Sequence, residues 1–245
     1  MNWMFPRSSG IHAPEPREWI LGALYLPVFL FFLNFAILTY FPALGFPLTE
    51  PRNYFFANLL YMTVNFAVML LIFRRTLWQS LREFEGKMLL SVLIGFGMCY
   101  GANLVLTTAY TVLDIMPENY NQEAVNSLLG GYPLAMTLCT VVLAPLAEEC
   151  LFRGVLFAPL ARRCLPAAYA LSMFLFAGMH VFQFLGSMTA ANTILCLSLY
   201  LPASFSLCWV YQKTGNIWAG IFLHMFINFQ SVLASLLRSL MQAFL

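Results

Sequence analysis

The fold of this chain is decided by residues 132–160, YPLAMTLCTVVLAPLAEECLFRGVLFAPL. An α-helix needs about 20 apolar residues to cross about 30 Å of hydrocarbon, and this run is longer than that. Three charged residues, Glu148, Glu149 and Arg153, lie inside it. Charges are costly within a bilayer and mark functional sites by default. The stretch therefore predicts both a membrane-spanning helix and a site within it.

The composition of the whole chain also indicates a membrane protein. Of the 245 residues, 61% are hydrophobic and 9% are charged, whereas about a quarter are charged in soluble proteins. So few charges could not cover the core of a soluble globule, and the same composition excludes disorder. A net charge of +2 without a basic face excludes a nucleic-acid partner. We expect an integral membrane protein whose surroundings are the lipid bilayer.

Hydropathy predicts an all-α fold class, a polytopic transmembrane helical bundle of about seven spans, or eight if the end of the chain adds one. The apolar runs are too long for the strands of a membrane barrel. Pro145 is expected to tilt or break the long fourth span. The predicted spans are 19–40, 54–73, 88–113, 132–160, 165–185, 188–211 and 216–237.

The chain divides into three predicted regions. An N-terminal cytoplasmic tail covers 1–18, N-terminal transmembrane helices cover 19–131, and a catalytic transmembrane core covers 132–245. If the N-terminus is cytoplasmic, nine Lys and Arg residues lie on the cytoplasmic side and two on the opposite side. Such an excess of positive charge is typical of cytoplasmic segments. The connection 113–131 carries only acidic charges and is expected to be an outside loop. We therefore predict a multi-pass cell-membrane protein with a cytoplasmic N-terminus and no cleavable signal peptide.

Five ionisable side chains are predicted to lie inside the membrane: Glu148, Glu149, Arg153, His180 and His224. An acid or Arg near mid-bilayer costs about 3 kcal/mol unless it is paired or hydrated. Glu149 and Arg153 are four residues apart on one helical face and can pair. Glu148 is rotated by about 100° from its neighbour and is expected to point elsewhere.

The polar residues of these spans are predicted to lie at similar depths in the membrane. At 1.5 Å per residue, Glu148 and Glu149 lie about 20 Å from the cytoplasmic end of their span, and His180 about 22 Å. His224 lies roughly 17 Å deep, with Asn228 one turn further on the same face. This agreement predicts a single polar, catalytic cavity between spans four, five and seven. The other intramembrane amides are interpreted as packing residues that hydrogen-bond between helices: Asn34, Asn65 and Asn103.

The residue types in this layer suit hydrolysis. A carboxylate in apolar surroundings beside a second carboxylate can act as general base on water. An imidazole can orient that water, and His224 and Asn228 can donate to a developing oxyanion. Two His and one Glu could also bind zinc, although HExxH is absent. A transporter-like proton relay, and a structural ion pair with two hydrogen-bonded histidines, are the remaining alternatives.

Three short motifs in this region resemble those of a known family. EExxxR is present at 148–153, FxxxH at 176–180 and HxxxN at 224–228, in that order and on separate predicted spans. The chain resembles the CAAX-protease and bacteriocin-processing (CPBP, or abortive-infection) family of intramembrane glutamate proteases over about residues 132–230. The first three spans match only in being apolar.

The resemblance implies an intramembrane endopeptidase. Glu148 would be the base that activates water, and Glu149 and Arg153 would position and tune Glu148. His180 would contact or polarise the water, and His224 with Asn228 would stabilise the oxyanion. The resemblance also implies catalysis without a metal cofactor, with zinc left as the rival. Expected substrates are peptide leaders, pheromones or membrane-associated proteins, prenylated CAAX proteins among them. Family members that act as immunity or scaffold proteins keep a non-proteolytic function open, and the oligomeric state is not predicted.

Overall fold

The computed structural model describes residues 13–243, so the first twelve residues of the predicted tail lie outside it. Seven helices within this range are long and apolar enough to cross a membrane. We number them as spans in chain order: Pro16–Ala43, Pro51–Ile72, Met88–Val112, Pro133–Ala161, Leu165–Ser187, Ala190–Thr214 and Ile217–Gln242. The described part of the chain contains no strand. The all-α, polytopic fold class is therefore confirmed.

The ends of these helices follow familiar local rules. Prolines occupy the first turns of several spans, where a missing N–H costs nothing. The Thr189 side chain accepts from the N–H of Asn192 at 3.1 Å and caps span 6. Gly215 ends the same helix with a φ of 67°, a left-handed conformation that glycine adopts without strain.

Two shorter helices connect the spans. Arg74–Arg82 follows span 2, and Tyr120–Gly131 lies in the predicted loop 113–131. The predicted connection between spans 3 and 4 therefore contains a helix that is not predicted from the sequence. Asn119 caps the second of these helices, because its side chain accepts from the N–H of Gln122 at 3.1 Å.

The first span begins at Pro16, three residues before its predicted start, and therefore includes Glu18. This carboxylate is buried at the start of the Arg74–Arg82 helix. Its Oε1 accepts from the N–H groups of Arg75 at 3.0 Å and Thr76 at 3.3 Å, and its Oε2 accepts from the Thr76 hydroxyl. Glu18 thus caps a helix N-terminus, where negative charge is stabilised.

Span 4 is the centre of the bundle. Half of its most apolar window is buried, against 17–39% in the other spans. Spans 1, 2, 5 and 7 pack against it. Pro145 does not break it, because wide π-helical turns over Cys139–Leu143 and Cys150–Phe157 flank the α-helical segment Ala144–Glu149 and keep the helix continuous.

Candidate active site

Glu149 and Arg153 form a fully buried ion pair. Arg153 Nη1 donates to Glu149 Oε1 at 3.0 Å, as the four-residue spacing predicts. Arg153 Nη2 donates to the carbonyl and hydroxyl oxygens of Ser204 on span 6, at 3.2 and 3.3 Å. The guanidinium also lies over the ring of Phe176, 4.9 Å from its centroid. These contacts compensate part of the cost of burying both charges.

The imidazole of His224 lies between the two adjacent carboxylates. Its Nδ1 is 2.9 Å from Glu149 Oε1, within hydrogen-bond distance. Its Nε2 is 3.8 Å from Glu148 Oε2, close enough for electrostatic attraction but too far for a hydrogen bond. The two carboxylates diverge along span 4, but His224 approaches between them from span 7.

Glu148 differs from Glu149 in how its oxygens are used. Glu148 Oε2 and Glu149 Oε2 are both buried and have no hydrogen-bond partner among the described residues, but Glu149 is also held through its Oε1 by Arg153 and His224. The side chain of Glu148 keeps 12% of its surface exposed, whereas the side chain of Glu149 keeps none. Glu148 is therefore the carboxylate that a small molecule such as water can approach.

His180 joins the group through aromatic contacts. Its Nδ1 lies 2.9 Å from the carbonyl of Phe176, one turn earlier on span 5, and donates to it. Its ring stacks on Tyr200 of span 6 with centroids 4.5 Å apart. The Phe176 ring contacts both imidazoles, at 5.0 Å for His180 and 5.5 Å for His224. With Nδ1 donating, Nε2 of His180 is left as an acceptor.

Asn228 lies one turn beyond His224 on span 7, as predicted, but bonds in another direction. Its Nδ2 donates to the carbonyl of Thr140 on span 4 at 2.8 Å. It is partly exposed, as is His180, and Glu148, although buried, keeps 12% of its side-chain surface exposed. Glu149, Arg153 and His224 are buried behind them. The six predicted residues thus form an inner charged group and an outer, accessible edge.

Span 6 and Gly220 contribute to this site without any signal that singles them out in the sequence. Ser204 and Tyr200 resemble the many other hydroxyl side chains of the apolar spans. Gly220 lies on span 7, one helical turn before His224. A Cβ atom at Gly220 would lie 3.0 Å from Glu149 Oε2, so glycine permits the close approach of span 7 to the carboxylate.

The described residues include no group of three or more His, Cys, Asp or Glu side chains that could hold a metal ion. The Nδ1 atoms of both imidazoles are committed to protein oxygens. Zinc binding by the two histidines and a glutamate stays an alternative prediction.

Comparisons with known proteins bear on this same region. Residues 130–230 match the family model described as "Type II CAAX prenyl endopeptidase Rce1-like". The chain is 28% identical over 166 residues to a protein of Bacillus subtilis (strain 168) named "Putative membrane peptidase YdiL". That alignment covers 66% of this chain and 64% of the relative, so the chain spans a little under two thirds of the relative's length. No solved structure matches.

Proposed function

We propose that this chain, whose residues 130–230 match the Rce1-like family model, is an intramembrane endopeptidase of the CPBP type that uses Glu148 to activate water. The observation that carries the proposal is the difference between the two adjacent carboxylates. Glu149 is held through its Oε1 by Arg153 and His224 and has no exposed side-chain surface, whereas Glu148 keeps 12% of its side-chain surface exposed. A general base needs a free oxygen within reach of the proton it removes.

In the proposed reaction, Glu148 takes one proton from a water molecule while the water oxygen bonds to the carbonyl carbon of a peptide bond. The tetrahedral intermediate then collapses, the carbon–nitrogen bond breaks, and the proton is passed to the leaving amine. His180, whose Nε2 is an acceptor, orients the water. Glu149 holds His224 in place through Oε1, and Arg153 balances the charge of Glu149.

The negative charge that develops on the carbonyl oxygen needs donors. In its imidazolium form His224 donates through both nitrogens, Nδ1 to Glu149 Oε1 and Nε2 on the side of Glu148. His224 Nε2 in that form and the N–H of Asn228 Nδ2 not used by Thr140 are the donors of this site. Removing one such donor typically lowers the rate constant by about 100- to 1,000-fold. The buried position of His224 strengthens its contribution, because water does not screen it.

The proposed substrate is a peptide or protein that reaches the site from the membrane. The matched family model names a CAAX prenyl endopeptidase and the relative's name says membrane peptidase, so lipid-modified CAAX proteins are the first substrate class to test. Peptide leaders and pheromones, which the family resemblance implies, are the other classes. The accessible edge lies on spans within the bilayer, which suits a substrate anchored beside the protein.

Comparative peptidomics of cells tests this proposal and identifies the substrate in the same experiment. The cells would carry the wild type, Glu148→Gln, or the control Glu123→Gln, which alters an exposed carboxylate on the Tyr120–Gly131 helix. We expect a set of cleaved peptides in wild type and control that is missing with Glu148→Gln. Identical peptide sets in all three strains would contradict proteolysis. A phenotype that persists with Glu148→Gln would favour an immunity or transport role, and stoichiometric metal in the purified protein would favour a zinc hydrolase.

A further inference from the structure

One carbonyl of span 4 has lost both of its possible helical donors. A helix carbonyl accepts from the N–H four residues later, or five residues later in a π turn. For Thr140 these positions are Ala144 and Pro145. The N–H of Ala144 donates instead to the carbonyl of Cys139, and Pro145 has no N–H. The Thr140 carbonyl therefore faces neighbouring helices with no bond from its own.

Asn228 supplies the missing donor from span 7, through the 2.8 Å bond from Nδ2 to the Thr140 oxygen. Only the NH₂ end of an amide can face a carbonyl, so this bond fixes which way the Asn228 side chain is turned. The second N–H of the same nitrogen is then held in a defined direction. The amide is therefore oriented by span 4, not by its own helix.

We infer that Pro145 is a positioning residue for Asn228: by lacking an N–H, it keeps the Thr140 carbonyl available to orient the amide. The effect on catalysis rests on the proposed function, in which Asn228 donates to the oxyanion. The orientation itself does not, because it follows from the hydrogen bonds of spans 4 and 7.

The same span provides a matched control. Pro159 removes the α-helical donor, four residues on, of the Val155 carbonyl, as Pro145 removes the π-helical donor, five residues on, of the Thr140 carbonyl. There the substitute donor is Trp19 Nε1 of span 1, at 3.0 Å. Trp19 lies outside the six site residues, so replacing Pro159 makes a chemically equivalent change away from Asn228.

NMR of protein labelled with ¹⁵N-asparagine in detergent micelles tests the orientation. Asn228→Ala identifies the Asn228 side-chain resonances by their loss. Pro145→Ala and Pro145→Ser each add an N–H that can occupy the Thr140 carbonyl, and we expect both to shift those resonances. Pro159→Ala should leave them in place. Unchanged Asn228 resonances in a folded Pro145 variant would overturn the inference, as would an equal shift with Pro159→Ala. Removing a proline from a helix interior favours the helix, so these variants should fold.

Cleavage of a substrate found by peptidomics adds a second measurement. We expect Pro145→Ala to lower kcat by roughly ten- to a hundredfold with little change in KM. The same change should have no further effect in the Asn228→Ala background, because the residue through which it acts is gone. An undiminished effect in that background would show that Pro145 acts elsewhere. Absence of any cleavage would refute the proposed function but leave the NMR result valid.

Discussion

His224 Nδ1 lies 2.9 Å from Glu149 Oε1, the same oxygen that accepts from Arg153 at 3.0 Å. One carboxylate oxygen thus joins a guanidinium of its own helix to an imidazole of span 7. The two bonds make Glu149 the centre of the inner charged group, whereas Glu148 remains at its edge. The two adjacent glutamates therefore have different environments, and substituting each one should affect stability to a different extent.

Glu149→Gln should destabilise the protein far more than Glu148→Gln. The first change leaves Arg153 as a fully buried cation without its carboxylate, which costs about 3–5 kcal/mol. The second removes a charge that makes no hydrogen bond through Oε2, and should cost less than about 1 kcal/mol. Thermal unfolding in detergent measures both.

The double variant Glu149→Gln/Arg153→Met is the control for this assignment. It removes the buried cation together with its partner and should recover part of the lost stability. If the double variant lost as much stability as the two single variants together, the unpaired charge of Arg153 would not be the cause of the instability of Glu149→Gln.

Gly220→Ala should disturb the same carboxylate from span 7. The added Cβ would lie 3.0 Å from Glu149 Oε2, closer than ordinary contact, so the side chain or the helix must shift. A displacement of about 1 Å can lower an enzymatic rate by about 100-fold. Gly97→Ala on span 3 meets nothing within 4 Å and should leave cleavage unchanged. Equal rates for the two variants would show that the close approach at Gly220 has no role.

The spans and the three motifs could be predicted from sequence because membrane helices are set by length and hydropathy. Residues 88–113 and 165–185, for example, correspond to the observed Met88–Val112 and Leu165–Ser187. The polar residues stood out because few others share their environment. Their common depth also predicted that separate helices would bring them together.

Other features depend on partners that sequence does not identify. The Thr140 carbonyl, in the π turn before Pro145, accepts a hydrogen bond from Asn228 on span 7, far along the chain. Glu18, placed in the tail by its charge, is buried because a helix N-terminus receives it. The Tyr120–Gly131 helix did have a signal, since Asn119 with Gln122 three residues later matches a capping box. Its polar composition led to the expectation of a loop.

Tyr200 should matter to His180 through its ring and not through its hydroxyl. The rings stack at 4.5 Å, while the hydroxyl donates to Asn119 Oδ1 at 3.0 Å and accepts from Asn121 Nδ2 at 3.2 Å. Tyr200→Phe keeps the stack and should retain cleavage while losing about 1 kcal/mol of stability. Tyr200→Leu removes an aromatic contact of about 0.5–1.5 kcal/mol and frees the imidazole, so cleavage should fall severalfold. Equal cleavage by the two variants would exclude a positioning role for the ring.

Cys164 offers a direct test of the predicted orientation. It is exposed between spans 4 and 5, next to Arg162 and Arg163, whereas the other five cysteines are buried. If the N-terminus is cytoplasmic, a maleimide that cannot cross membranes should label Cys164 in inverted vesicles but not in intact cells. In a Cys164→Ser background, Ser187→Cys places an exposed thiol at the opposite end of span 5 and should show the reverse pattern. Labelling of Cys164 from outside intact cells would contradict the predicted orientation. Because span 4 crosses the membrane once, the Tyr120–Gly131 helix would then lie on the cytoplasmic side.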